Sequence, residues 1–125
     1  MLDLSYVVNY LLERKLELKS THSRLCFPII DRIYRKMLVG IKFSPIKVDE
    51  GIIIDGHHRY LASVLAGITV DVDLSQRTSA TEIYEWHTIQ FDLNDWDSES
   101  KIAMLNQQDA LYNNMTIEKL NVLLK

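Results

Sequence analysis

Gly51-Ile52-Ile53-Ile54-Asp55-Gly56-His57-His58-Arg59-Tyr60-Leu61-Ala62 decides how this chain is read. Three consecutive isoleucines favour a buried strand. That strand is expected to end at Asp55-Gly56, with a helix following from about Arg59 to Leu65 and stopping at Gly67. A strand that turns through glycine into a helix aims the helix's unpaired N–H groups at one point. The side chains at that point suit an anion. Gly56 admits a close backbone approach or a positive φ. Arg59 offers a planar fork for two oxygens at once. His57 and His58 donate hydrogen bonds when neutral and add charge when protonated. Asp55 is placed to hold a magnesium ion or to orient a histidine. The expected ligand is a phosphate, bound by Gly56, His57, His58 and Arg59, with Asp55, His57 and His58 as candidate catalytic groups.

Working outward, Ile46-Lys47-Val48 is a second β-like run, joined to the first by the turn Asp49-Glu50-Gly51. Val70-Asp71-Val72-Asp73-Leu74 alternates and predicts a third strand, reached by a right-handed strand–helix–strand crossover. Upstream, residues 27–39 carry a helical pattern with Pro28 in the first turn and Gly40 as the stop. Its expected buried stripe is Ile29, Ile30, Ile33, Met37 and Leu38, with Asp31, Arg32, Arg35 and Lys36 opposite. Apolar spacing from Leu4 predicts an N-terminal helix to about Leu16, and residues 19–23 read as a connection. Beyond residue 78 the chain looks helical and acidic. Ser79-Ala80-Thr81-Glu82 resembles a capping box and predicts a helix to about His87. Asp97 or Ser98 is expected to cap a helix over 98–111, Asn113-Asn114 to break it, and Thr116 to open a last one over 117–124. The expected fold is one mixed α/β (α+β) domain over 1–125, with a small mixed sheet in a core of about 24–78. Flanking helices and a helical extension from about 79 complete it.

The composition sets the outer bounds. At 125 residues with 47% apolar and 25% charged content, the chain is long enough for one core and typical of a globular protein. Its apolar runs are far shorter than the ~18 residues of a membrane span, so no membrane partner is expected. The N-terminus has no basic stretch leading into a long apolar one, and there is one cysteine, Cys26. A cytoplasmic location is the expectation. The net charge of −3 argues against a general affinity for nucleic acid. Residues 1–66 nevertheless carry ten Lys/Arg against seven Asp/Glu, while residues 67–125 carry four against ten. The phosphate-like loop lies in the basic half.

Ser44-Pro45-Ile46-Lys47-Val48, the turn, Ile52 to Ala62 with its Asp55-Gly56-His57-His58-Arg59 centre, and Ala66-Gly67-Ile68 together resemble the ParB N-terminal and sulfiredoxin-like superfamily. The resemblance covers about residues 27–74. It implies a small mixed sheet whose loop Gly56–Arg59 binds the phosphates of a nucleotide such as ATP, ADP or CTP, accompanied by Mg²⁺. ParB proteins carry Gly-Glu-Arg-Arg there, and His57 and His58 replace the Glu and first Arg, which speaks against CTP-clamp chemistry. Sulfiredoxins carry Gly-Cys-His-Arg, and His57 stands in place of the nucleophilic cysteine, which speaks against sulfinic-acid reduction. The Asp-Gly-His-His-Arg form looks most like the ADP-dependent free serine kinases of archaea. The resemblance therefore implies phosphoryl transfer or nucleotide hydrolysis, with Glu13, Glu17 and Glu50 as candidates for a catalytic carboxylate.

Other readings use other residues. Arg32, Arg35 and Lys36, with Arg24 nearby, form a basic face suited to DNA in a non-catalytic, partition-like module. The C-terminal helices are too acidic for DNA recognition and instead suit packing or a homodimer, with Trp86, Phe91 and Trp96 seating them. A protein-interaction domain without a ligand is a third reading. Adjacent histidines with no Cys or His at ligand spacing do not suggest a metal site. Cys26 reads as a buried small hydrophobe, and His22 and His87 as structural or solvated.

Overall fold

The computed structural model describes residues 2–125 and is an α+β fold with five helices and two small sheets. In chain order the elements are α1 (Leu4–Glu13), β1 (Arg24–Cys26), α2 (Phe27–Leu38), β2 (Ile46–Asp49), β3 (Ile52–Asp55) and α3 (His57–Ala66). Then come β4 (Val72–Leu74), a 3₁₀ turn (Trp86–Thr88), β5 (Gln90–Asp92), α4 (Glu99–Tyr112) and α5 (Ile117–Leu123). Asp3 caps α1 by accepting the Ser5 N–H at 2.8 Å, and Ser98 and Thr116 cap α4 and α5 in the same way. Among the described residues no helix is long and apolar enough to cross a membrane.

The three-stranded sheet has the order β3-β2-β4. β2 and β3 form the expected hairpin through Glu50 and Gly51, both at positive φ. β4 runs parallel to β2, so it is antiparallel to β3 and separated from it. The handedness rule for parallel crossovers therefore does not apply to the β3–α3–β4 unit. α3 lies against this sheet and against α2, and Leu25, Ile30, Ile46, Ile53 and Leu61 are fully buried between them. Each such side chain stabilises the fold by roughly 1.5–3 kcal/mol relative to leaving it in water.

Several expectations need correction. α1 ends at Glu13, and Leu16 and Leu18 reach the core from irregular chain instead. The expected helix over 79–87 does not form. Thr81 turns its hydroxyl back to the Thr78 N–H at 3.1 Å, and Tyr84 N–H bonds the Ser20 carbonyl at 2.8 Å. This segment delivers Trp86 into the main core and β5 into a parallel pair with β1. Residues 84–92 thus belong to the body of the fold, as do Val7 and Leu11 of α1, and the separate C-terminal part begins after β5. There Ile41, Ala110 and Leu120 make a second, smaller cluster. In α2 the stripe is rotated from the expectation: Leu38 is exposed and Lys36 is buried.

Candidate anion-binding site

The chain's turn from β3 into α3 is fixed by Gly56, the N-cap, at φ 98° and ψ 29°. The first intrahelical bond runs from Tyr60 N–H to the Gly56 carbonyl at 2.9 Å. No side chain caps this end, so the N–H groups of His57, His58 and Arg59 have no acceptor among the described residues. They open on a cleft of about 450 Å³ formed by this loop, α2 and α4. The helix dipole adds a favourable field for an anion there, worth roughly 0.3–1 kcal/mol at an exposed site.

Arg59 is the group best placed for such an anion. One Nη donates to the Ser44 hydroxyl at 3.1 Å, and the other lies 3.7 Å from the exposed Asp55 carboxylate. Its Nε is buried with no partner. Of the five donors of this guanidinium, one meets Ser44 and the buried Nε–H meets no group of the chain. Lys42 lines the same cleft and has no carboxylate within ion-pair distance among the described residues. Lys42 and Ser44 were not singled out from the sequence as ligands. They lie in irregular chain before β2, where no periodicity marks a function.

The two histidines have a different role from the one their titration range suggests. His57 Nε2 accepts the Thr21 N–H at 3.0 Å, and His58 Nε2 accepts the Cys26 N–H at 2.9 Å. A ring nitrogen that accepts a backbone N–H holds a lone pair, so each ring carries its proton on Nδ1. Burial pushes His57 down to about 3, aided by His22 stacked on it at 4.0 Å and by His58. Burial likewise lowers His58 to about 4, with His22 contributing and Asp97 opposing. Near neutral pH both are uncharged. They pin the segment Thr21–Cys26 to the start of α3, and they offer Nδ1–H as donors rather than as bases. Charge neutralisation at the loop rests on Arg59, Lys42 and the helix N-terminus.

The expected Asp55 lines the cleft, joined by Asp97 and Asp109. Glu13, Glu17 and Glu50 do not line it, and Glu50 faces Arg77 at 3.8 Å. The expected basic face is also committed within the chain. Arg32 grips Asp95 with both Nη groups and reaches Asp97 at 3.1 Å, Lys36 meets Asp109 at 2.7 Å, and Arg35 touches the Leu124 carbonyl at 3.5 Å. Carboxylates of the acidic tail thus neutralise Arg32 and Lys36, whereas Arg35 meets only a carbonyl. Cys26 is buried as expected, its thiol facing the Asn94 carbonyl at 3.5 Å and receiving the Trp96 N–H at 3.4 Å. Trp96 packs edge-on to His58 at 5.5 Å, and the Trp86 indole N–H donates to the Leu18 carbonyl at 2.7 Å.

Comparison with protein-family models, with curated proteins and with solved structures found no match.

Proposed function

We propose that this chain binds a nucleotide through its phosphates, in a fold of the ParB and sulfiredoxin-like kind, with residues 55–59 as the phosphate loop. One observation carries the reading. The uncapped N-terminus of α3 and the side chain of Arg59 line the same cleft, and the buried Nε of that arginine has no partner within the chain. Backbone N–H groups at a helix start and an adjacent arginine are the usual pairing for phosphate oxygens. Lys42 and Ser44 extend the polar floor, and apolar side chains of α2 and α4 offer a wall for a base. The reaction class that such a site supports is phosphoryl transfer or nucleotide hydrolysis, driven by positioning and charge stabilisation. Asp55, exposed beside the loop, fits a magnesium ion that is held mainly by phosphate oxygens. Such an ion would offset phosphate charge. Arg59 and the loop amides orient the phosphates, and the Nδ1–H groups of His57 and His58 donate to them. A cytoplasmic setting suits both the ligand and the single reduced thiol.

The test is thermal unfolding with ATP, ADP, CTP and GTP, with and without Mg²⁺, on the wild type and on Arg59→Ala. A ligand at 100 times its Kd stabilises by about 2.7 kcal/mol, which moves the melting temperature by several degrees. A shift with one nucleotide that vanishes in a folded Arg59→Ala supports the reading. No shift with any of them would end it.

A further inference from the structure

The opposite end of the three-stranded sheet carries a second surface. β4 is the edge strand, and its pairing with β2 uses every other backbone residue. Ile46 N–H donates to the Asp71 carbonyl and Ser75 N–H to the Val48 carbonyl, each at 2.9 Å. In a parallel ladder that phase also turns Asp73 toward β2. The N–H and C=O groups of Val72 and Leu74 therefore face away from the sheet, and no other strand pairs with them among the described residues. Leu74 is 91% exposed and Val72 48%. Native edges are commonly blunted by bulges, proline or a covering helix. Among the described residues the only bulge in this sheet is on the far side, between β2 and β3.

Charge on the outer face says what the edge would take. The register sets Lys47 opposite Asp55 on one side and opposite Asp73 on the other. All three are exposed, so the face reads negative, positive, negative across the strands. A basic residue on a fourth strand continues that alternation, and cross-strand pairs of opposite charge are favourable. On the other face, Val72 borders a cleft of about 400 Å³ shared with Ile46, Val64 and Ile68. That space accepts an apolar side chain from the position flanking the basic one. A second copy of β4 is a poor occupant, because self-pairing sets the Asp71 and Asp73 carboxylates of two chains against each other.

We infer that the β4 edge is a docking site for an extended segment of a partner protein, with a basic residue opposite Asp73 and apolar residues on either side of it. The segment adds a fourth strand, held by the backbone groups of Val72 and Leu74. This site is independent of the cleft at Arg59.

The probe is an acetylated Thr-Val-Lys-Val-Thr peptide, with Thr-Val-Glu-Val-Thr as its control, titrated into isotope-labelled protein and followed by amide shifts. The expected result is perturbation centred on Val72 to Ser75, with the lysine peptide binding roughly fivefold tighter than the glutamate one. Asp73→Lys should reverse that preference and Asp73→Asn should flatten it. Melting curves on both variants confirm that the fold is kept. Three results would overturn the inference: no perturbation by either peptide, the same preference in the wild type and Asp73→Lys, or a wild type already dimerised through β4.

Discussion

Gly56 is constrained in two ways at once. Its φ of 98° lies where side chains are strained, and a Cβ there would come within 2.6 Å of Ile46 Cγ2 and 2.8 Å of an Arg59 Nη. Gly56→Ala should lower stability by about 1–3 kcal/mol, seen as an earlier midpoint in urea unfolding. It should also displace the guanidinium and weaken any anion at the loop. An unchanged midpoint would mean that the loop is not held as described. Both the glycine and the arginine were legible in the sequence, because a strand running through Asp-Gly into a helix has few conformations open to it. What could not be read was the state of the histidines. Their neutrality comes from burial, and their tautomer from the amides of Thr21 and Cys26, more than thirty residues upstream, which no local pattern announces.

At the scale of elements, the α2–α4 contact turns on Lys36 and Asp109. The lysine is nearly enclosed and its partner mostly so. Removing one member strands the other, which costs about 3–5 kcal/mol for a fully buried pair and less here, where Asp109 keeps some contact with water. Lys36→Ala and Asp109→Ala should each destabilise clearly in denaturant unfolding. The double variant Lys36→Met/Asp109→Leu should recover most of that loss. Singles without effect would show that solvent screens the pair. Apolar periodicity put Lys36 on the solvent side of α2, since a lysine's burial depends on a carboxylate far along the chain. The same limit hid β1 and β5. Each is three residues long, too short to show alternation, and they form only because distant segments meet. Helices α4 and α5 were legible because their caps and breaks are local. The capping-box pattern at Ser79 misled because Thr81 bonds within a turn, and long-range pairing of Tyr84 overrides local preference.

For the whole molecule, the buried histidines set an acid limit. Their pKa values are lowered in the folded state, so the unfolded chain takes up protons first as pH falls. Stability is full above the ordinary histidine value and is lost on acidification. The loss runs down toward about 4 for His58 and about 3 for His57. Within that window each histidine costs about 1.4 kcal/mol per pH unit. Urea unfolding between pH 7 and about 5 should show this slope, and His57→Gln, which keeps an acceptor for Thr21 N–H but cannot titrate, should reduce it. An equal slope in the variant would assign the acid limit to other groups.

Cys26 gives the molecule a clock. Its sulfur is wholly covered, and the cover includes the short stretch from Asn94 to Trp96 that also leans on His58. A thiol-reactive dye can colour the protein only at moments when that stretch swings off β1. With the chain's single sulfhydryl as the sole target, the rate of colouring in native buffer counts those swings when dye is in excess enough to outpace reclosing, and measures the open fraction when it is not. It reports the breathing of one seam of the fold, without any label having to be engineered.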